Sequence, residues 1–201
     1  MAQPTLFFIR HGETDWNAVS RLQGQRDVPL NARGRGQAAH CADIMRGLLL
    51  RASKTADDFD FIASPLSRAR ETMELMRTGL GLEPGAYRIE PRLAELSFGD
   101  WEGFTYAELR QRQFGPRQLA ERERDKWNFL PPAGESYAQL MVRVQGWYAG
   151  LARDAVVVAH GGVARTLFVL LGVLKPDVAP VHDVDQGAVY VLAPGSLSKF
   201  S

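Results

Sequence analysis

Two His-Gly pairs each stand directly after a short apolar stretch of the sequence. His11-Gly12 follows residues 5–10, and His160-Gly161 follows residues 155–159. Ligands bind outside the carboxyl ends of strands in open α/β sheets, so two strand-end histidines would face one pocket. A following glycine leaves the imidazole uncrowded and lets an anion approach the backbone. The pattern therefore indicates an anion site at one edge of a sheet.

Two arginines accompany these histidines. Arg10 precedes His11, and Arg68 falls in the first turn of a helix predicted after the strand 58–63. A guanidinium offers a planar fork of donors that fits phosphate, and a helix N-terminus favours anions. Taken singly, the stretch around His11 could be a structural turn, and the arginines of the stretch around Arg68 could be solvated side chains on a helix. Two imidazoles and two guanidiniums around one pocket predict a phosphate site.

Short β-branched or aromatic runs alternate along the chain with amphipathic stretches of helical length. This alternation is typical of a three-layer α/β/α fold, in which helices cover both faces of a mostly parallel sheet. The predicted strands are residues 5–10, 58–63, 87–90, 155–159 and 188–192.

Capping signals mark where helices begin. Asn31 is expected to cap the first long helix. Ser64-Pro65 predicts the next helix start, with the serine as N-cap and the proline as first helical residue. Ser136 and Gln139 match a capping box. The last helix is predicted over residues 162–171, directly after a strand.

Composition limits the class of protein. The 201 residues, 45% hydrophobic and 23% charged, fit one soluble domain. A formal net charge of +1 argues against a nucleic-acid surface. The single cysteine, Cys41, excludes an intrachain disulfide and a multi-cysteine zinc site, and its helical position predicts burial. No metal ligand set is evident.

Location and assembly follow from weaker signals. We expect no signal peptide and no membrane span, because the N-terminus lacks a basic leader and the apolar run 166–174 is short. A cytoplasmic protein is the expectation. Residues 104–130 are polar and helical in pattern, which predicts a lid-like insertion. The base rate for soluble assemblies favours a homodimer.

Five segments give the sequence a resemblance to a known family. They are Arg10-His11-Gly12-Glu13-Thr14 with Asn17, Leu22-Gln23-Gly24, Ser64-Pro65-Leu66-Ser67-Arg68-Ala69, Leu93–Gly103 and His160-Gly161-Gly162. In this order they resemble the histidine phosphatase superfamily, which includes phosphoglycerate mutases, broad-specificity phosphatases and α-ribazole phosphatases. The resemblance covers nearly the whole chain and implies a phosphoglycerate mutase-like fold.

The resemblance also implies a mechanism that needs neither metal nor cofactor. His11 would attack the phosphorus of a small-molecule phosphate ester and hold the phosphoryl group until water removes it. Arg10, Arg68 and His160 would bind the phosphoryl oxygens, whose charge fixed donors stabilise. Glu95 would protonate the leaving group, with Glu102 as the rival for that role.

Further positions match the family's substrate-binding residues. By resemblance these are Thr14, Asn17, Gln23, Gly24 and Gly161. The other two histidines, His40 in a helix and His182 in a proline-flanked loop, are expected to be surface or packing residues.

Two other functions remain open from the sequence. A phosphoglycerate mutase would pass the phosphoryl group to a second substrate instead of to water. Chain length, the Phe98–Gly103 segment and His-Gly-Gly in place of His-Gly-Asn favour the phosphatase branch. A non-catalytic phosphate-binding protein would be expected to have lost the nucleophile or the acid, and both His11 and Glu95 are present.

Overall fold

A six-stranded sheet lies between two layers of helices in the computed structural model, which describes residues 3–201. The strands are β1 (Leu6–Arg10), β2 (Asp60–Ala63), β3 (Arg88–Ile89), β4 (Ala155–Ala159), β5 (Val189–Ala193) and β6 (Ser196–Phe200). Their order in the sheet is β3-β2-β4-β1-β5-β6. Strands β1 to β4 run parallel, whereas β5 pairs antiparallel with both β1 and β6. The predicted mostly parallel α/β fold is confirmed.

Helices on the two faces of the sheet enclose two apolar cores. The helices are α1 (Asp15–Ala18), α2 (Ala32–Ala52), α3 (Ser67–Gly79), α4 (Tyr106–Arg110), α5 (Gly115–Arg124), α6 (Tyr137–Tyr148) and α7 (Gly161–Leu170). Side chains of β4 alternate between the cores: Val156 and Val158 pack with α2 and α3, and Val157 packs with α6 and α7. Burial on both faces explains why the central strand is continuously apolar.

Two predicted caps are confirmed and one is wrong. The Asn31 side chain accepts a hydrogen bond from the backbone N–H of Gly34 at 2.9 Å, and Ser136 forms the capping box with Gln139. Ser64 is not the cap of α3, because that helix begins at Ser67 after an N-cap residue that makes no side-chain hydrogen bond. The Ser64 hydroxyl instead contacts a residue distant in sequence, described below.

Strand β6 was not predicted; it forms a hairpin with β5 across Gly195, whose φ of 70° suits glycine. Helices α4 and α5 lie within residues 104–130, while the lid role of that segment stays a prediction. Cys41 is 1% exposed, as predicted. Within the described range, no helix is long and apolar enough to cross a bilayer.

Candidate active site

The carboxyl ends of β1 and β4, which are adjacent parallel strands, bring the two strand-end histidines together. Arg10 is the last residue of β1 and His11 follows it, while His160 connects β4 to α7. The ring centroids of His11 and His160 are 5.1 Å apart. Both side chains are buried. The structure thus unites the two His-Gly pairs in one site.

The two ring nitrogens of His11 have different surroundings. Nδ1 lies 2.7 Å from the carbonyl oxygen of Gly12, a contact that requires the proton on Nδ1. Nε2 accepts a hydrogen bond from Arg68 Nε at 3.3 Å. Burial, reinforced by the charges of Arg68 and Arg10, holds the pKa of the His11 imidazole well below its ordinary value. The ring is therefore neutral at neutral pH, with its lone pair on Nε2.

Backbone carbonyls fix the Arg68 guanidinium beside this ring. Arg68 is 1% exposed and lies in the first turn of α3, where Nη1 donates to the Arg26 carbonyl at 2.7 Å and Nη2 to the Gly24 carbonyl at 2.8 Å. Gly24 has a φ of 51°, and a side chain there would collide with the Glu102 carboxylate. The glycine is thus required by the turn that orients Arg68.

Two buried donor nitrogens in the site have no partner among residues 3–201. They are Arg10 Nε and His160 Nδ1. The Arg10 side chain is held at its other end, where Nη1 donates to the Val184 carbonyl at 2.7 Å. Buried polar groups are almost always paired, so donors left open in a cationic site favour an anionic ligand.

Ser64 orients the second histidine. Its hydroxyl lies 2.6 Å from His160 Nε2. Burial, together with Arg68, His11 and Arg10, holds the pKa of His160 well below its ordinary value, so the ring is neutral. A hydroxyl that donates to Nε2 leaves the ring proton on Nδ1, where it can meet an anion.

If the site hydrolyses a phosphate ester, as the motifs predict, replacing Ser64 by alanine is expected to lower kcat/KM by about tenfold, as for groups that orient a metal-bound histidine. The variant frees the other tautomer, in which Nδ1 is an acceptor and repels an anion. Steady-state phosphate release measures the effect, with exposed Ser198→Ala as the control. Full activity in Ser64→Ala, with the fold retained by circular dichroism, would remove this role.

The Glu95 carboxylate lies against the N-terminus of α7. Oε1 accepts from the backbone N–H of Gly162 at 3.0 Å and from that of Leu96 at 2.8 Å. A side chain at position 162 would collide with this carboxylate, which explains the second glycine after His160. Burial lowers the pKa of Arg10 and of Arg68, and the nearby Glu95 charge opposes that shift in both. Glu95 therefore belongs electrostatically to the same site.

The positions predicted to bind substrate have different surroundings in the structure. Thr14 is fully buried, and its hydroxyl caps α1 and contacts the Gln23 carboxamide oxygen at 3.0 Å. The Thr14 hydroxyl therefore makes its hydrogen bonds within the protein. The Asn17 oxygen accepts from the Gln186 amide at 3.0 Å, whereas the Asn17 amide nitrogen, a hydrogen-bond donor, makes no hydrogen bond within residues 3–201. Gly161, the first residue of α7, lies beside the side chains of Arg10 and Arg165.

Glu102, the rival acid, has structural partners. Its Oε1 accepts from the backbone N–H groups of Gln25 and Phe98 at 3.0 and 3.1 Å. These bonds join the turn that orients Arg68 to the segment that carries Glu95. His40 is exposed and His182 half-buried, and the ring of His182 packs edge-on against Phe168.

The site residue that the sequence reasoning missed is Arg165, one turn into α7. Its Nη1 lies 3.2 Å from the point where a side chain would begin at Gly161, and Arg10 Nε lies 3.8 Å from that point. The signal was its position, four residues after Gly161 on the face turned to the strand ends. Elsewhere, no group of three or more His, Cys, Asp or Glu side chains in residues 3–201 is placed to hold a metal ion.

The two neutral histidines predict a pH dependence of stability. Their folded pKa values lie below about 6.5, the value expected in the unfolded chain, so the unfolded state binds protons first as pH falls. The contribution of the two histidines to the free energy of unfolding is complete above about pH 7. It declines below about pH 6.5, by up to about 1.4 kcal/mol per pH unit for each histidine. Urea unfolding in phosphate-free buffer between pH 7 and 5 measures the slope. His11→Gln should reduce it by about half, and an unchanged slope would contradict the assignment.

Comparison with known protein families confirms the resemblance that the motifs indicate. A model of the histidine phosphatase superfamily (branch 1) matches residues 6–196. The chain belongs to this superfamily. A glucosyl-3-phosphoglycerate phosphatase of Mycobacterium tuberculosis is 36% identical over 191 residues, which cover 87% of this chain and 77% of the relative. A 2,3-bisphosphoglycerate-dependent phosphoglycerate mutase of Beijerinckia indica is 32% identical over 189 residues, covering 90% and 87%.

Solved structures of related proteins superpose on this chain and have the same fold. A putative α-ribazole-5'-P phosphatase from Escherichia coli superposes with a TM-score of 0.78 at 26% identity, covering 98% of this chain and 95% of that one. The native mycobacterial glucosyl-3-phosphoglycerate phosphatase gives 0.76 at 31% identity, covering 94% and 89%. Phosphatases and mutases are both among the relatives, so membership alone does not choose between the two reactions.

Proposed function

We propose that this chain is a metal-independent phosphatase that hydrolyses a small-molecule phosphate monoester through a phosphohistidine on His11. The observation that carries the proposal is the state of that ring, which is neutral, tied through Nδ1–H to Gly12, and presents Nε2 to the site. A nucleophile needs an unprotonated lone pair that faces the site, and the Nε2 lone pair, which accepts only a 3.3 Å hydrogen bond from Arg68 Nε, meets this condition without a metal.

The surrounding donors suit the phosphoryl group. Arg10 Nε and His160 Nδ1 are open for its oxygens, and Arg68 Nε, by exchanging its contact with His11 Nε2 for a phosphoryl oxygen, frees the Nε2 lone pair for attack on phosphorus. Fixed donors of this kind stabilise the charge on the transferring group, which is the main requirement of phosphoryl transfer. The Asn17 amide adds a neutral donor.

Glu95 would complete the reaction as the proton donor in its protonated form: its carboxyl proton passes to the leaving oxygen as the bond from His11 Nε2 to phosphorus forms, which leaves the carboxylate. For the leaving oxygen to receive a proton, one carboxyl oxygen must turn from Gly162 to the substrate, and Oε2, whose contact with that N–H is 3.2 Å, is the less firmly held. In the second step the same carboxylate accepts a proton from the water that attacks phosphohistidine.

Hydrolysis and transfer are separated by one assay. Phosphate release from p-nitrophenyl phosphate and from 3-phosphoglycerate, with a chelator present, is expected if the chain is a phosphatase. A mutase, which the 32% identity to a phosphoglycerate mutase keeps as the second candidate, would interconvert 3- and 2-phosphoglycerate once primed with a bisphosphate and release little phosphate. The second result would overturn the proposed hydrolysis.

A further inference from the structure

The first turn of α3 is capped from a loop that is distant in sequence. Leu66, the N-cap residue of α3, makes no side-chain hydrogen bond, and the Ser64 hydroxyl contacts His160. The Asp27 carboxylate takes the place of a local cap. Its Oδ1 accepts from the backbone N–H of Ser67 at 2.8 Å and from the Ser67 hydroxyl at 2.7 Å. An acceptor of this kind satisfies a free N–H of the helix start, and its negative charge suits the positive end of the helix.

Asp27 ends the loop whose carbonyl groups hold Arg68. The Gly24 and Arg26 carbonyls accept from Nη2 and Nη1 of that side chain at 2.8 and 2.7 Å. Arg26 directly precedes Asp27 in the chain, and Arg68 directly follows Ser67. The bonds between Asp27 and Ser67 therefore join the loop to the helix next to the contact between Arg26 and Arg68. They keep the carbonyl groups within reach of the guanidinium.

The orientation of the Arg68 guanidinium decides where its Nε–H points. With both terminal nitrogens bound to carbonyls, Nε–H is directed at His11 Nε2, 3.3 Å away. A guanidinium is planar and its donors form a rigid fork, so a shift of either carbonyl turns all of its nitrogens together. Arg68 is buried whereas Asp27 is exposed. A contact at the protein surface thus sets the direction of a buried donor.

The Asp27 carboxylate also acts on Arg68 through its charge. Burial lowers the pKa of the Arg68 guanidinium, and the negative charges of Glu95 and Asp27 oppose that shift. Asp27 therefore favours the protonated guanidinium as well as its orientation, and both effects reach the site through Arg68.

We propose that Asp27 is a positioning residue of the active site: it caps α3 from the 24–27 loop and thereby holds Arg68 in the orientation that binds the transferring phosphoryl group. The inference rests on the proposed phosphatase function and adds to it a residue outside the pocket. The competing explanation is a cap that stabilises α3 and has no effect on the reaction.

Two substitutions at position 27 test the proposal. Asp27→Ala removes both hydrogen bonds and is expected to lower kcat/KM for p-nitrophenyl phosphate by about tenfold or more, because a displacement of about 1 Å in a site can cost about 100-fold. Asp27→Asn keeps an oxygen that can accept both bonds, so kcat/KM should return to within a few-fold of the native value. Asp58→Ala is the matched control. The exposed Asp58 carboxylate likewise accepts from a backbone N–H and a hydroxyl, both of Thr55, but it lies before the amino end of β2. Its loss should leave kcat/KM unchanged.

A double-mutant cycle separates positioning from stability. In an Arg68→Gln background, Asp27→Ala should change kcat/KM by less than about twofold, because the side chain that Asp27 positions is gone. An equal loss in both backgrounds, or full activity in Asp27→Ala, would overturn the inference. Failure of the native chain to hydrolyse p-nitrophenyl phosphate would instead count against the proposed function. The cycle would then be measured as calorimetric affinity for inorganic phosphate, which needs no turnover and is expected to show the same dependence on Arg68.

Discussion

Replacing His11 by asparagine is expected to lower kcat for phosphate monoester hydrolysis by about 10⁴-fold or more, in the range seen when an enzyme loses its nucleophile. Asparagine keeps a polar side chain in a site that is almost fully buried but has no ring nitrogen for phosphorus. Steady-state phosphate release gives the rate. Quenching a ³²P-labelled substrate in alkali, in which phosphohistidine survives, shows the intermediate directly in the native chain.

The controls are the other histidines. His40→Asn, on the exposed side of α2, should leave both rate and labelling unchanged. His160→Asn should slow the reaction yet still allow labelling, because in the proposed mechanism His160 contributes a donor and not the nucleophile. Labelling that survives in His11→Asn and disappears in His160→Asn would reverse the two roles.

Changing Glu95 to glutamine is expected to affect poor leaving groups far more than good ones. An alkoxide must be protonated as it leaves, so kcat/KM for glycerol 3-phosphate, which reports the phosphorylation step, should fall by about 100-fold or more. Nitrophenolate leaves without a proton, and kcat/KM for p-nitrophenyl phosphate should change only a few-fold. The ratio of the two rates is therefore the measurement. Glutamine keeps an oxygen for the Gly162 N–H, which protects the local structure.

Glu102→Gln is the matched control, since Glu102 is the competing carboxyl in the same segment. Its backbone contacts with Gln25 and Phe98 predict a loss of stability with no change in leaving-group dependence. A leaving-group effect in Glu102→Gln would move the acid role there. An equal loss for both esters in Glu95→Gln would leave Glu95 with an electrostatic role only.

The positions of Arg10, His11 and His160 were predictable because strand direction decides them. Apolar runs end just before these residues, and parallel neighbours end at one edge of the sheet. No such rule covers β6, whose side chains are mostly exposed and alternate only weakly. An edge strand with one neighbour needs little apolar pattern, and its pairing depends on the turn before it.

Tertiary contacts explain the other differences. Ser64 has the sequence context of a cap, but its hydroxyl contacts His160, 96 residues away, and local pattern carries no information about that partner. Arg165 was not predicted for the same reason, because it comes close to Arg10 only after β1, β4 and α7 have assembled. Residues that act through the backbone, such as Gly24, were found only through the family motif.

An oxyanion that accepts hydrogen bonds from Arg10 Nε and His160 Nδ1 would give partners to two buried nitrogens that have none among residues 3–201. By linkage, such an ion is expected to raise the apparent melting temperature with its concentration. Inorganic phosphate, the released product, is the simplest such ion. The cations proposed to hold the ester would then also retain the product, so inorganic phosphate is expected both to stabilise the folded chain and to compete with a new ester for the site.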